Sequence, residues 1–293
     1  MLREAEHTTG GEGASRLLTP VSPDDPEYAL NRDAEEYDRL MEQAAVVAPL
    51  SRRVLEHAGI EAGMTVLDVG CGVGDFSMLL GDLVGPTGQV VGVDLDANAL
   101  ALAADRAEAA GLTQLRFVHG DCREVELYQQ FDAVAGRFVL MYQADPVDAL
   151  RRVSRHVRAG GIVAFHELDL DVVPPADPPL SLWHEVVDAI VAAFRASGAK
   201  ARMARELHAT FRAAGMADPV LNGEVIVAGG STSPAYSWVA NTLKSVWPLG
   251  LRTGVVREGQ FDLETLADQL RAEVVSGGGV VCSPLYVGAS ARV

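Results

Sequence analysis

The residues best suited by type and spacing to do chemistry form one run, Leu67-Asp68-Val69-Gly70-Cys71-Gly72-Val73-Gly74-Asp75-Phe76. An apolar stretch ends there, glycines fall at alternate positions, and an amphipathic stretch begins. Glycine lets the chain turn sharply and lets a ligand approach the main chain with no Cβ in the way. In an open α/β sheet the binding crevice lies beyond the carboxyl ends of the strands, where this turn belongs.

Two carboxylates narrow the ligand. The dinucleotide pattern G-x-G-x-x-G would place a glycine where Asp75 stands; here the spacing is G-x-G-x-G. An acid at the mouth of the turn repels a diphosphate and suits a positively charged ligand. Asp94 ends the next apolar stretch, Val91-Gly92-Val93-Asp94, and can accept both hydroxyls of a ribose. Adenosine with a cationic tail, S-adenosylmethionine, meets both conditions.

Further motifs follow in order: VLDVGCGVGDFS (66–77), Asp94, GDC (120–122), FDAV with RFVLMY (131–142), and RHVRAGGIVAFHE (155–167). In these the chain resembles the class I S-adenosylmethionine-dependent methyltransferases of the small-molecule, natural-product type. The resemblance implies a Rossmann-like, seven-stranded, mostly parallel sheet whose last strand is antiparallel, with helical cap insertions. It implies S-adenosyl-L-methionine as cofactor and S-adenosyl-L-homocysteine as product. Asp68 and Gly70 would lie near the methionine part, Gly72 beside the cofactor, and Asp94 on the ribose. Leu95 would line the adenine, Asp121 would reach its amino group, Cys122 would offer its backbone amide, and Arg137 would lie next to the cofactor. Members of this type often cover the cofactor with an N-terminal helix, for which Tyr37 and Gln43 are the candidates.

Methyl transfer from a sulfonium needs mainly in-line positioning, and a base only where the acceptor keeps a proton. His166-Glu167, at the carboxyl end of an apolar stretch, supplies the catalytic candidates; strand alternation turns them to opposite faces, so one at most meets a ligand. The alternative is a structural pair at a strand end. No metal is expected: His166, Glu167 and Asp169 would have to converge from two faces.

These residues need a scaffold, and the hydrophobic pattern supplies one. Apolar runs at 64–70, 89–96, 115–121, 131–141 and 161–169 read as strands, with helical periodicity between them, for example Phe76, Leu79, Leu80 and Leu83. Continuous apolar strands alternating with helices mean an α/β fold with a parallel sheet covered on both faces. Beyond Asp171 come a Pro-rich connector (172–179), helices over 180–197 and 202–214, a sixth strand over 220–230 and a final strand over 279–291. The division expected is a flexible arm (1–26), N-terminal cap helices (27–60), and a core (61–293) with cap segments 172–200 and 231–276. Those two cap segments hold all three tryptophans, so a lid over the crevice is expected.

The 293 residues carry 24 Lys and Arg against 40 Asp and Glu, a net charge of −16, which argues against nucleic acid or an anionic membrane surface as partner. The start lacks an apolar signal stretch, and Cys71, Cys122 and Cys282 form no CxxC pair, which fits a cytoplasmic protein. The partner expected is a small, largely apolar acceptor, methylated at O or C; self-association into a homodimer stays open. Two rivals also stand: a protein of this fold that uses the sulfonium without methyl transfer, in a cyclisation or rearrangement, and a nicotinamide-dependent oxidoreductase.

Overall fold

In the computed structural model, which describes residues 34–293, the alternation becomes strands and helices in sequence. The expected arm and residues 27–33 of the expected cap lie outside the described residues. The elements are α1 (Ala34–Ala58), β1 (Thr65–Val69), α2 (Asp75–Val84), β2 (Gln89–Asp94), α3 (Ala97–Ala109), β3 (Leu115–His119), β4 (Phe131–Arg137), α4 (Pro146–Val153) and β5 (Val157–Asp169). After these come α5 (Ser181–Ala196), α6 (Met203–Ala213), β6 (Val220–Glu224), β7 (Val227–Gly229), α7 (Ala235–Thr253), α8 (Leu266–Gly277), β8 (Val280–Cys282) and β9 (Leu285–Arg292). Local chemistry sets several boundaries. Asp96 caps α3 by accepting from the amides of Asn98 and Ala99, and Asp145 caps α4 in the same way ahead of Pro146.

One sheet has seven strands in the order β3-β2-β1-β4-β5-β9-β6. Strands β1 to β5 pair in parallel, and β9 runs antiparallel between β5 and β6. This is the α/β, Rossmann-like, mostly parallel sheet expected. Its inner parallel strands β1, β2, β4 and β5 are buried on both faces, while the edge strands β3 and β6 are partly exposed. Val66, Ala133, Ala135, Ile162 and Ala164 pack against Leu55 of α1 and Phe76 and Leu80 of α2. Leu67, Val134 and Phe165 turn the other way, toward Leu207 and Phe211 of α6.

Register decides which side chains share the crevice. Asp68 pairs with Ala135, Arg137 with His166, and His166 with Gly288. Because paired residues project to the same side, Asp68, Arg137 and His166 form a polar row on the α1/α2 face at the carboxyl ends of the strands.

Two strand expectations change. The run 220–230 is divided into β6 and β7, and the run 279–291 into β8 and β9; β7 and β8 leave to form their own two-stranded sheet. Both breaks fall at one level, where Ile226 and Ser283 exchange hydrogen bonds and Pro284 offers no N–H to continue a ladder. The β4 region also stops short of the expected 131–141. Phe138 takes a left-handed conformation (φ 57°), the sole non-glycine residue to do so among the described residues. Residues 140–142 then form a short 3₁₀ turn.

The mixed segment 231–276 resolves into α7 and α8, which pack with α5. Trp183 meets Tyr236 edge to face at 6.5 Å, and Trp247 meets Phe261 at 6.1 Å. Side chains of this size contribute about 1.5–3 kcal/mol each when buried.

Candidate functional site

The turn after β1 is left-handed at three glycines: φ is 66° at Gly70, 52° at Gly72 and 85° at Gly74. At Gly70 a Cβ would stand 2.7 Å from Val139 Cγ2, so the turn lies tight against the segment after β4. At Gly72 a Cβ would meet nothing within 4 Å. The main chain at Gly72 therefore faces open space, the cradle that a ligand backed against glycine requires.

Asp94 fixes this cradle. Its Oδ2 accepts from the Gly72 amide at 2.8 Å and its Oδ1 from the Asp96 amide at 2.9 Å. The carboxylate is thus held at the mouth of the turn by the turn itself. Leu95 beside it is 52% exposed, an apolar surface of the kind a flat base stacks on. The Tyr37 hydroxyl donates to Asp96 Oδ2 at 2.8 Å, which brings α1 down over the end of β2.

One clamp went unread in the sequence. Arg106 of α3 donates from Nη1 to the Val73 carbonyl and from Nη2 to Asp75 Oδ1, both at 2.6 Å. The signal was helical spacing: Ala103, which lies where a Gly74 Cβ would point (2.8 Å), precedes Arg106 by three residues on the same face. This corrects the role given to Asp75. Its charge is paired with Arg106, so it closes the loop and is not an open carboxylate awaiting a cation.

Asp68 takes that part better. It is fully buried, its Oδ2 accepts from Ser77 Oγ at 2.5 Å, and its Oδ1 has no hydrogen-bond partner among the described residues. Burial pushes its carboxyl up to about 7, against the Ser77 hydrogen bond and the Arg137 charge. An orphaned carboxylate oxygen beside an open glycine cradle fits a ligand that brings an N–H donor or a positive charge.

Other predicted positions are placed as follows. Asp121 accepts from the backbone amide of Arg123 at 2.8 Å and grips its guanidinium, whose hydrogen bond holds the carboxyl below its ordinary range. Cys122 is half-buried, and burial pushes its thiol up to about 12, so it stays protonated. Gln43 turns to Arg39, accepting from its Nη1 at 2.8 Å. Arg39 in turn forms a buried two-point pair with Glu36. The same helix face bonds to α7, where Ser237 and Asn241 donate to Glu42, and Ser245 to Glu36. Gln43 thus joins the Arg39–Glu36 group on α1, of which Glu36 reaches α7, whereas Tyr37 reaches the end of β2.

The His166-Glu167 pair splits across the sheet. His166 joins Arg137 on the crevice face, with Nδ1 3.0 Å from Ser51 Oγ and its ring 5.8 Å from those of Phe138 and Tyr286. Burial, aided by the Arg137 charge, pulls its pKa down to about 3, so the ring is neutral at working pH. Glu167 turns to the other face and accepts from the amides of Val139 at 2.9 Å and Leu140 at 2.7 Å. Its Oε2 has no partner among the described residues, and burial raises its carboxyl to about 8. Asp169 pairs with Arg205. Among the described residues no group of three His, Cys, Asp or Glu side chains is arranged to hold a metal ion. No helix among them is long and apolar enough to cross a membrane.

Comparison with known proteins agrees with this geometry. The family profile described as a methyltransferase domain matches residues 60–215. A demethylmenaquinone methyltransferase of Staphylococcus aureus is 32% identical over 160 residues, which cover 53% of this chain and 64% of the relative. The chain therefore matches somewhat less than two thirds of the length of that curated relative. Among solved structures, a candidate methyltransferase of Bacillus halodurans superposes with a TM-score of 0.55 at 17% identity, covering 83% of this chain and 97% of that one. Phosphoethanolamine N-methyltransferase 2 of Haemonchus contortus, solved with phosphomonomethylethanolamine and S-adenosylhomocysteine, gives 0.52 at 17% identity, covering 83% and 52%. At these identities the two structures speak for the fold.

Proposed function

The chain belongs to the class I S-adenosylmethionine-dependent methyltransferase family, and from that premise we propose that it methylates a small, largely apolar specialised metabolite at oxygen or carbon. The observation that carries this reading is the open cradle at Gly72, bounded by the pinned carboxylate of Asp94 and the buried, unpartnered Oδ1 of Asp68. When bound, S-adenosylmethionine supplies a methyl group already activated by its sulfonium. Asp94 would hold the ribose hydroxyls, Leu95 would lie against the adenine, and Asp68 would receive the cationic methionine end. Asp121 and the Cys122 amide would meet the adenine edge. Placing the acceptor in line with the methyl carbon is then the main task left to the chain.

A quinone-type acceptor, as the name of the Staphylococcus aureus relative suggests for that protein, would suit the aromatic surroundings of Phe138 and Tyr286.

The test is calorimetry with S-adenosylhomocysteine, then incubation of the protein with methyl-labelled cofactor and a panel of phenols, enols and quinols. Binding followed by label in an extracted small molecule is expected. Failure to bind S-adenosylhomocysteine, or enhanced fluorescence on titration with reduced nicotinamide instead, would overturn the assignment.

We assign α1, α5, α7 and α8 to a lid over this crevice. Tyr37 anchors α1 to the rim through Asp96, and Glu36 and Glu42 tie α1 to α7. A lid of this kind excludes water and holds the acceptor in place. Limited proteolysis should cut within 172–200 or 231–276 faster in ligand-free protein, and S-adenosylhomocysteine should slow it. Equal resistance with and without ligand would leave these helices as fixed packing.

A further inference from the structure

We propose that Arg137 is the anion receptor of the acceptor site, so that the acceptor reacts as an ionised phenol or enol whose oxygen the guanidinium holds. This rests on the methyl-transfer reading and adds to it the chemical class of the acceptor and the residue that selects it.

The argument begins with a charge that lacks an opposite partner at contact distance. Arg137 ends β4 at the level of the crevice, in register with His166. Among the described residues its guanidinium makes no hydrogen bond and no ion pair; its contacts are ring faces, Phe76 at 5.3 Å and Phe138 at 5.9 Å from the ring centres. Of the two carboxylates whose charges act on it, Asp75 is paired with Arg106, and Asp68, bonded to Ser77 through Oδ2, keeps Oδ1 for the cationic end of the cofactor. A guanidinium sandwiched by rings keeps its N–H edges for a planar oxyanion. Burial opposes the charge on Arg137, and an anion alongside would offset that cost.

The surrounding groups make an ionised acceptor more than a convenience. His166 has Nδ1 engaged by Ser51 and a pKa pulled down to about 3, which makes it a poor proton acceptor at neutral pH. The Tyr286 phenol is pushed up by burial and remains protonated. Glu167 lies on the other face of the sheet under the loop. Asp68, on the same face with its carboxyl raised by burial to about 7, would be occupied by the cationic methionine end of the cofactor in the methyl-transfer reading; the acceptor's proton therefore leaves to solvent before methyl transfer, and the guanidinium stabilises the anion left behind. The anion's electron pair forms the new bond to the methyl carbon as the carbon–sulfur bond breaks, giving a neutral methylated product and a neutral thioether. Phe138, held left-handed by the loop, and Tyr286 (5.9 Å between rings) would form the flat wall on which such an acceptor stacks.

The experiment uses two probes of one ring size on protein saturated with S-adenosylhomocysteine. 2-Hydroxy-1,4-naphthoquinone is an acidic enol, coloured when ionised; 2-methyl-1,4-naphthoquinone has no acidic group. Wild type should bind the hydroxy compound roughly 10–100-fold more tightly, and hold it as the coloured anion at a pH where the free compound is becoming protonated. With both proteins saturated with S-adenosylhomocysteine, Arg137→Met should lose that preference and that colour while it still binds the neutral quinone as wild type does; Arg137→Lys should retain part of both. Equal binding of the two quinones by wild type, or binding of neither, overturns the proposal. So does an Arg137→Met protein that loses both quinones equally, since that makes Arg137 a support of the pocket and not an anion receptor. Failure of wild type to bind S-adenosylhomocysteine at all would instead overturn the methyltransferase reading beneath it.

Discussion

Replacing Asp94 with Ala should weaken S-adenosylhomocysteine binding by about 1.5–3 kcal/mol, or roughly 10–150-fold, as measured by calorimetry. Part of that loss is direct, because a carboxylate accepting two ribose hydroxyls makes charge-assisted hydrogen bonds. The structure adds a second part. Asp94 also accepts from the amides of Gly72 and Asp96, so its removal leaves the glycine turn without the group that sets its shape. Asp94→Asn separates the two. Its amide oxygen can still accept from Gly72, so the turn should persist while one acceptor is lost at the ribose. An Asn variant intermediate between wild type and Ala would support both contributions. Unchanged affinity in Asp94→Ala would sink the ribose assignment.

Much of the sheet was legible because burial on two faces leaves continuous apolar runs, and turns between strand and helix require glycine. Asp68, Gly70 and Gly72 share one strand end and turn, so spacing alone brings them together, and the parallel pairing of β1 with β2 adds Asp94. The rest depends on pairing between distant segments, which no local pattern encodes. Arg106 lies 31 residues from Asp75 along the chain and meets it only because α3, packed on β2 and β3, lies against the glycine turn at Gly74. Asp75 looked like an open charge for the same reason: its partner was out of sight. The split of 220–230 and 279–291 comes from Pro284 and the Ile226–Ser283 exchange, again across the sequence. The alternation rule did separate His166 from Glu167; it could not say that Ser51, 115 residues away, would claim the His166 ring. The hydrogen bond of Gln43 with Arg39, itself paired with Glu36, is a matter of side-chain packing that the pattern of α1 does not encode.

Glu167 should prove a positioning residue for the loop that follows β4. It accepts from the amides of Val139 and Leu140, directly after Phe138, whose left-handed backbone a bulky residue adopts only when its surroundings enforce it. Glu167→Ala leaves two buried amides unpaired and should destabilise the fold by about 2–4 kcal/mol. With Phe138 released, turnover should fall about tenfold or more, since misplaced walls undo in-line positioning. Glu167→Gln keeps an oxygen for the amides and should restore turnover. It should also change the response to pH. In the folded protein burial raises the Glu167 carboxyl from about 4.5 to about 8. The unfolded chain therefore releases this proton first, and stability is full below about pH 4.5 and declines as pH rises toward 8. Asp68, raised to about 7, acts in the same direction, whereas His166, lowered to about 3, acts against them below about pH 6.5, so the decline is steepest between about pH 6.5 and 7. Thermal unfolding of the ligand-free wild type should accordingly move to lower temperature between pH 5 and 8. Glu167→Gln should flatten that slope, with Asp68 leaving a remainder, and should melt at pH 8 no lower than wild type. A Gln variant with the wild-type slope would show that Glu167 does not titrate there. An Ala variant with wild-type turnover would remove Glu167 from the positioning of Phe138 and return it to plain packing beneath the loop.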